Sequence, residues 1–370
     1  MSQSEGRARE VLLTGFPRYV ARLVLEQILE RETETTVRLL VPAGRRDEAV
    51  AEIDELGAED RISLLEGEAS AIDLGIGGSE YLDLVANVTD IYHVPRPVPA
   101  DTGRRQLVDT HRREAQNILD VAADMTSLNR VNHLSSALVS GTRTGVIMET
   151  DFDEGQSFRN GWEEAKFEAE RAIRGAPASV PTTIYRPTLI VGHSETGQLD
   201  RLNGPYYLLG ALVQMPEGVP LFVPGEGQYP LNLVPVDFVA RAIHALSLTN
   251  GAEDETYHLC DPDPFSARRL FELVARRAGN PPRAGNVPFK MTKWLMKVPG
   301  LRRWTRTPRQ LLESIDHLAV YNAVRARTDL PDAVRCPPFT GYVDALVDHL
   351  EQVDLDFRDA SVGHFLGVEF

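Results

Sequence analysis

Cysteine is almost missing from this chain: Cys260 and Cys336 are the only two in 370 residues. They lie far apart, with no metal-ligand spacing around either. Buried or half-buried thiols are therefore favoured over a disulfide, a zinc site or a nucleophile. A basic excess is missing too. The 39 Lys and Arg are outnumbered by 54 Asp and Glu, for a formal net charge of -15. Nucleic acids and anionic membrane surfaces both select basic patches, so neither is expected as a partner. No apolar run approaches the length that spans a bilayer. The polar, charged stretch Met1 to Arg9 has no secretory pattern. Repeats and low-complexity linkers are also lacking. The remaining composition, 42% hydrophobic and 25% charged, is that of a globular protein with room for one large α/β domain and a smaller lobe. A cytoplasmic enzyme acting on a small molecule is the default expectation.

The stretch Val11 to Leu29 organises the rest of the chain. Val11, Leu12 and Leu13 form a short apolar run, Thr14-Gly15-Phe16-Pro17 is a turn signal, and apolar residues then recur at helical spacing through Val20, Leu23, Val24 and Ile28. Strand, tight turn and helix in this order open a dinucleotide-binding βαβ unit, whose helix start faces a pyrophosphate. Thr36 to Val41 reads as a second buried strand. It ends in Pro42-Ala43-Gly44-Arg45-Arg46, with no carboxylate to take a ribose 2′-hydroxyl. Arg45 and Arg46 suit a 2′-phosphate, which favours NADP over NAD; they equally suit a solvated helix start. Asp47 to Leu56 is a helix. Ile62 to Leu65 and Asp90 to Val94 are strands, and Arg105 to Ala123 is a long helix with Val108, Ala115, Ile118, Leu119 and Ala122 facing inward.

The turn at Gly15 resembles the T-G-x-x-G-x-x-G signature of the extended short-chain dehydrogenase/reductase superfamily, in particular its thioester-reductase and male-sterility-like branch and the sugar-nucleotide epimerases. Gly15 matches the first glycine, Arg18 stands at the second position and Ala21 at the third. Arg18 lacks glycine's open backbone and offers instead a guanidinium for a phosphate. Glu68 stands near the position of an acidic adenine neighbour. Pro95-Arg96-Pro97 replaces the small residues that usually follow the fourth strand. His111 falls where an asparagine commonly relays a proton; a titrating imidazole can take that role, or be an ordinary helix-surface histidine.

Val131 to Ser136 is the fifth strand, and S-S-A-L-V-S-G is similar to the serine-bearing strand end of the same superfamily. The resemblance makes Ser136 the residue that binds a substrate oxygen, with Ser135 facing the other way. The run from Asn160 to Glu170 looks like the family's N-x-Y-x-x-S-K-x-x-x-E helix. Lys166 takes the lysine position, which implies contact with the nicotinamide ribose, and Trp162 takes the tyrosine position. Indole donates a hydrogen bond but transfers no proton, so two routes stay open. The indole serves as a fixed donor to an oxyanion, or His133, Tyr92, Ser140 or a water held by Lys166 supplies the proton.

Pro181 to Gly192 is read as one sixth strand carrying the Arg186-Pro187 landmark of the nicotinamide end of the groove. Tyr206 and Tyr207 are candidates to touch substrate, or a core aromatic pair. Leu221 to Gly225, Asn232 to Val236 and Glu255 to Leu259 read as strands. Asp237 is expected to cap the helix after it, and Ser266 to Gly279 is a capped amphipathic helix. The resemblance, over about residues 10 to 350, implies an α/β Rossmann-type doubly wound parallel sheet with a smaller C-terminal α+β substrate lobe. Residues 1–200 would form the NAD(P)-binding domain and 201–370 the lobe, partly interleaved with it. The implied activity is an atypical NAD(P)H-dependent reductase of an acyl- or polyketide-like carbonyl. The alternative is a non-redox protein on a reductase scaffold, either a cyclase or isomerase or a ligand- or partner-binding subunit. A homodimer is expected only by analogy with the fold.

Overall fold

The computed structural model describes residues 9–96, 102–199, 209–210, 212–214, 227–279 and 317–353. Seven strands build the central sheet: β1 (Glu10–Thr14), β2 (Thr36–Val41), β3 (Ile62–Glu66), β4 (Asp90–His93), β5 (Arg130–Leu134), β7 (Thr182–Pro187) and β10 (Glu255–Leu259). A further strand, β6 (Gly145–Ile147), lies outside it. The spatial order is β3-β2-β1-β4-β5-β7-β10 and every neighbouring pair is parallel. The chain steps outward from β1 to β3, then returns to the other side of β1 as β4. That reversal opens a crevice at the carboxyl ends of β1 and β4, where doubly wound sheets bind ligands.

Alternation along the strands explains why helices cover both faces. Val11, Leu13, Val37, Leu39 and Val41 point to one face. There they meet α1 (Tyr19–Arg31), α2 (Arg46–Leu56) and α6 (Val236–Ser247) through Val24, Ile28, Ile53, Phe238 and Ile243. Leu12, Leu40, Leu65 and Ile91 point to the other. They meet α3 (Gly78–Asn87), α4 (Arg104–Asp124) and α5 (Gly161–Arg174) through Leu84, Ile118, Leu119, Ala169 and Ile173. On α4 the residue facing inward is Leu107 rather than Val108.

The stretch 181–192 is not one strand. β7 stops at Pro187, whose ring removes the ladder donor, and β8 (Leu189–Val191) joins a separate two-stranded sheet with β9 (Leu233–Pro235). Between them the Thr188 hydroxyl donates to Asn232 Oδ1 at 2.8 Å. A third apolar cluster joins β8 and β9 to α7 (Ala267–Arg277) and α9 (Val343–Gln352) through Val191, Leu233, Leu270, Phe271 and Leu346. Ser266 caps α7 by accepting from the Arg269 amide. Asp237 does not cap α6. It sits in the first turn and accepts from the Ser194 amide and hydroxyl, both at 2.8 Å. Another small pair, β6 with β11 (Ala319–Tyr321), precedes α8 (Val324–Asp329). The expected strand at 221–225 and the candidates Tyr206 and Tyr207 lie outside the described residues.

Candidate active site

The crevice at the switch point is tight. Gly15 has φ +89°, and a Cβ placed on it would lie 2.4 Å from the Val94 carbonyl oxygen. Only glycine tolerates both the conformation and the approach. The Thr14 Oγ1 lies 2.9 Å from His93 Nδ1 and accepts from the Val94 amide at 3.1 Å. Hydrogen bonds therefore tie the end of β1 to the end of β4. Beside them is a narrow cleft lined by Thr14, Gly15, Pro42, Glu68, His93, Arg96 and Glu114, among others. Arg96 reaches across to Glu68 with a contact of 3.2 Å. The helix that starts here, α1, has Arg18 at its N-cap position, no side-chain cap and no acid in its first turn. Such a start suits a phosphate. Arg45 pairs with Glu48 at 2.8 Å, and Arg46 opens α2 exposed to solvent.

A second group of residues lies between β4, β5, α4 and α5. His93 and His133 stack with ring centroids 5.2 Å apart. His111 is not on the surface: it is 1% exposed, and its Nδ1 lies 3.5 Å from Oε2 of Glu114, itself 2% exposed. Lys166 is 7% exposed and places its Nζ 5.7 Å from the centre of the Trp162 ring. The N-cap Asn160, which accepts from the Glu163 amide at 2.9 Å, sets the helix phase that brings positions 162 and 166 together. Both ring nitrogens of His111 and of His133, Nε2 of His93 and Oε2 of Glu114 are buried without a hydrogen-bond partner among the described residues. Burial, then the neighbouring His133 and Lys166 charges, push His93 well below the usual imidazole range. His133 is lowered in the same way, by burial and then by Lys166 and His111. Burial lowers Lys166 to about 8, against the opposing charge of Glu114. Burial raises the Glu114 carboxyl, but His111, His93 and Arg96 bring it below its ordinary value.

Ser136 is buried, and its Oγ accepts from the Leu138 amide at 3.2 Å at the start of a short helical turn. Ser135 faces the opposite way and donates to Glu170 at 2.5 Å. Glu170 also binds Arg186 at 2.6 Å and Arg174 at 2.8 Å. Arg186 is thus fully engaged inside the scaffold, by Glu170 and by the Asp151 carbonyl, and its side chain is not offered to the crevice as expected of a cofactor ligand. Pro187 is buried beside it at the end of β7. Tyr92 leaves the set of proton sources, because its hydroxyl is spent on Arg9 and Ser247. Ser140 binds the Tyr321 hydroxyl at 3.1 Å. Glu114 escaped the sequence reading. Its signal was positional: it follows Leu107 by seven and His111 by three, on the inward stripe of α4.

Residues 13–243 match the family model described as male sterility protein, an NAD-binding family. The chain belongs to the male sterility protein family. Among relatives, it is 27% identical over 75% of its length to the non-reducing polyketide synthase pkiA of Emericella nidulans. It is 22% identical over 64% of its length to the fatty acyl-CoA reductase wat of Drosophila melanogaster. The chain spans 11% of the first relative and 53% of the second. The structure of the terminal R domain from the myxalamid PKS-NRPS pathway superposes with a TM-score of 0.77 at 23% identity, covering 94% of this chain and 92% of that one; the likeness is one of fold. In a male sterility family member the cofactor is a nicotinamide dinucleotide. An uncapped helix start, a glycine at the turn and a buried lysine beside an indole face are chemically suited to its phosphates and ribose.

Proposed function

We propose that the protein is an NAD(P)H-dependent reductase of an acyl- or polyketide-like carbonyl in which Lys166, rather than a tyrosine, handles the proton. The observation that carries this reading is the buried Lys166 ammonium lying against Trp162. In family terms the ring occupies the place of a phenol. An indole has no proton to give, whereas an ammonium whose release is eased to about 8 does. Thr14, Gly15, Arg18 and the start of α1 hold the phosphates. Arg45 and Arg46 favour the 2′-phosphate of NADP, and Pro187 frames the nicotinamide end. The cofactor, when bound, supplies the reducing equivalents. Ser136 orients the substrate oxygen, Trp162 walls the site, and Lys166 contacts the ribose and passes one N–H proton to that oxygen, leaving a neutral amine. The chain beyond residue 200 supplies the substrate side, where Tyr206 and Tyr207 fall.

Calorimetric titration with NADPH and NADH, followed by loss of the reduced cofactor's absorbance on adding an acyl thioester, tests the reading. Saturable binding, tighter for NADPH, is expected. A second reading, a non-redox protein on the same scaffold, is favoured by the bonds of Thr14 to His93 and Val94 and by the Arg96–Glu68 pair across the cleft. Absence of saturable binding at millimolar NADPH selects it.

A further inference from the structure

Five polar side chains line the cleft at the carboxyl ends of β1 and β4, and three of them already have partners. Thr14 is bonded to His93 and Val94, and Glu68 and Arg96 are bonded to each other. The other two, His93 and Glu114, are 1% and 2% exposed. Each keeps one buried polar atom unpaired among the described residues, Nε2 on His93 and Oε2 on Glu114. Buried polar atoms are nearly always paired, so two orphans on one cleft point to a ligand group. The bonds around His93 fix what its orphan offers. The Thr14 oxygen accepts from the Val94 amide at 3.1 Å, and its own proton has two acceptors in reach, His93 Nδ1 at 2.9 Å and the Val94 carbonyl at 3.4 Å. The shorter contact takes the proton. Burial, above all, keeps the ring neutral, so its single N–H lies on Nε2. Stacking on His133, with centroids 5.2 Å apart, holds the ring in place. Glu114 offers the opposite chemistry. Its carboxyl lies below its ordinary value and is therefore an acceptor only, with His111 3.5 Å away and not hydrogen-bonded to it.

A donor lacking an acceptor and an acceptor lacking a donor are both matched by a hydroxyl, which accepts on its oxygen and donates its hydrogen. A phosphate would meet the Glu114 charge, and a carbonyl would leave the carboxylate unpaired. The cleft also takes in Pro42 and Gly67, which directly follow β2 and β3. Doubly wound folds seat a dinucleotide at these strand ends, and a carboxylate following the second strand usually holds the ribose. Here β2 runs into Pro42-Ala43-Gly44 and supplies none. We propose, resting on the dinucleotide reading of this crevice, that His93 and Glu114 bind a hydroxyl of the adenosine ribose, the carboxylate coming from α4 in place of β2.

Magnetic resonance of protein labelled with ¹⁵N at histidine tests both halves of the site. His93→Phe, which keeps a flat ring against His133, identifies the signals from position 93. The free protein is expected to carry the His93 proton on Nε2, and a proton on Nδ1 overturns the proposal. ADP should bind saturably and move the Nε2 signal. The 2′,3′-dideoxy analogue of ADP, which lacks both ribose hydroxyls, should bind the wild type about tenfold or more weakly. Glu114→Gln should lose a similar factor toward ADP while binding the dideoxy analogue as the wild type does. Equal affinities of the wild type for the two nucleotides overturn the proposal whether or not the variant folds. If they are equal while NADPH binds, the hydroxyl site falls and the cofactor reading stands; if neither ADP nor NADPH binds, both fall.

Discussion

Lys166 and Trp162 divide the work of one helix turn, and each makes a separate prediction. A proton donor must be protonated to act, so with Lys166 released near 8 the rate of carbonyl reduction should be level below that pH and fall about tenfold per unit above it. Steady-state rates across roughly pH 6–10 check this, and a profile flat through about 9 removes Lys166 from the role. The indole offers a ring face to the ammonium at 5.7 Å, a contact worth about 0.5–2 kcal/mol. Trp162→Phe should therefore retain most turnover, while Lys166→Met should lose about 10²-fold or more. A loss of that size from Trp162→Phe alone would make the indole N–H the donor to the reacting oxygen. Polar residues on an apolar stripe are where sequence reading runs short. His111 invites a surface assignment because imidazole is usually wet, and Glu114 attracts none. Their burial is set by the packing of α4 on α5, and only their place on the inward stripe of α4 signals it.

The strands and helices that frame the site follow from periodicity, and most were legible. Thr36 to Val41 and Glu255 to Leu259 form strands with the expected bounds, because short β-branched and apolar runs bounded by charge admit little else. The break at Thr188 was not legible, since it depends on Asn232 arriving from a distant segment. Two contacts between elements can be tested. Gly15→Ala should cost about 1–3 kcal/mol from its left-handed backbone alone, and more from the 2.4 Å approach to Val94. Urea denaturation would measure it, and a neutral result would mean that the β1–β4 crevice is looser than drawn. The Glu170–Arg186 pair is fully buried, with side chains 0% and 1% exposed. Glu170→Gln leaves a guanidinium unbalanced under Ser135, so a loss of about 3–5 kcal/mol is expected. A change below 1 kcal/mol (~ the worth of a surface pair) would show that the guanidinium finds other relief.

At the scale of the whole molecule, the end of the sheet opposite the crevice is fastened by charge. Glu32 follows α1, Arg9 precedes β1 and His244 lies on α6, with contacts of 2.6 Å to Arg9 and 2.8 Å to His244. Burial pushes the Glu32 carboxyl up, yet the bonds from His244 and Arg9 bring it down to about 2. A carboxyl lowered by folding stabilises above its unfolded value and loses that stabilisation as pH falls through the folded one. Stability should therefore decline between about 4.5 and 2, by on the order of 2 kcal/mol after screening. Glu32→Gln should flatten that part of the acid denaturation curve, and an unaltered curve contradicts the assignment. Opposite this fastening lies the crevice, and the account stands or falls on whether it takes a cofactor. Titrating the intact protein with NADPH in a calorimeter asks this directly. Saturable binding that weakens in Gly15→Ala and in Lys166→Met is predicted; no saturable binding at millimolar NADPH would contradict it.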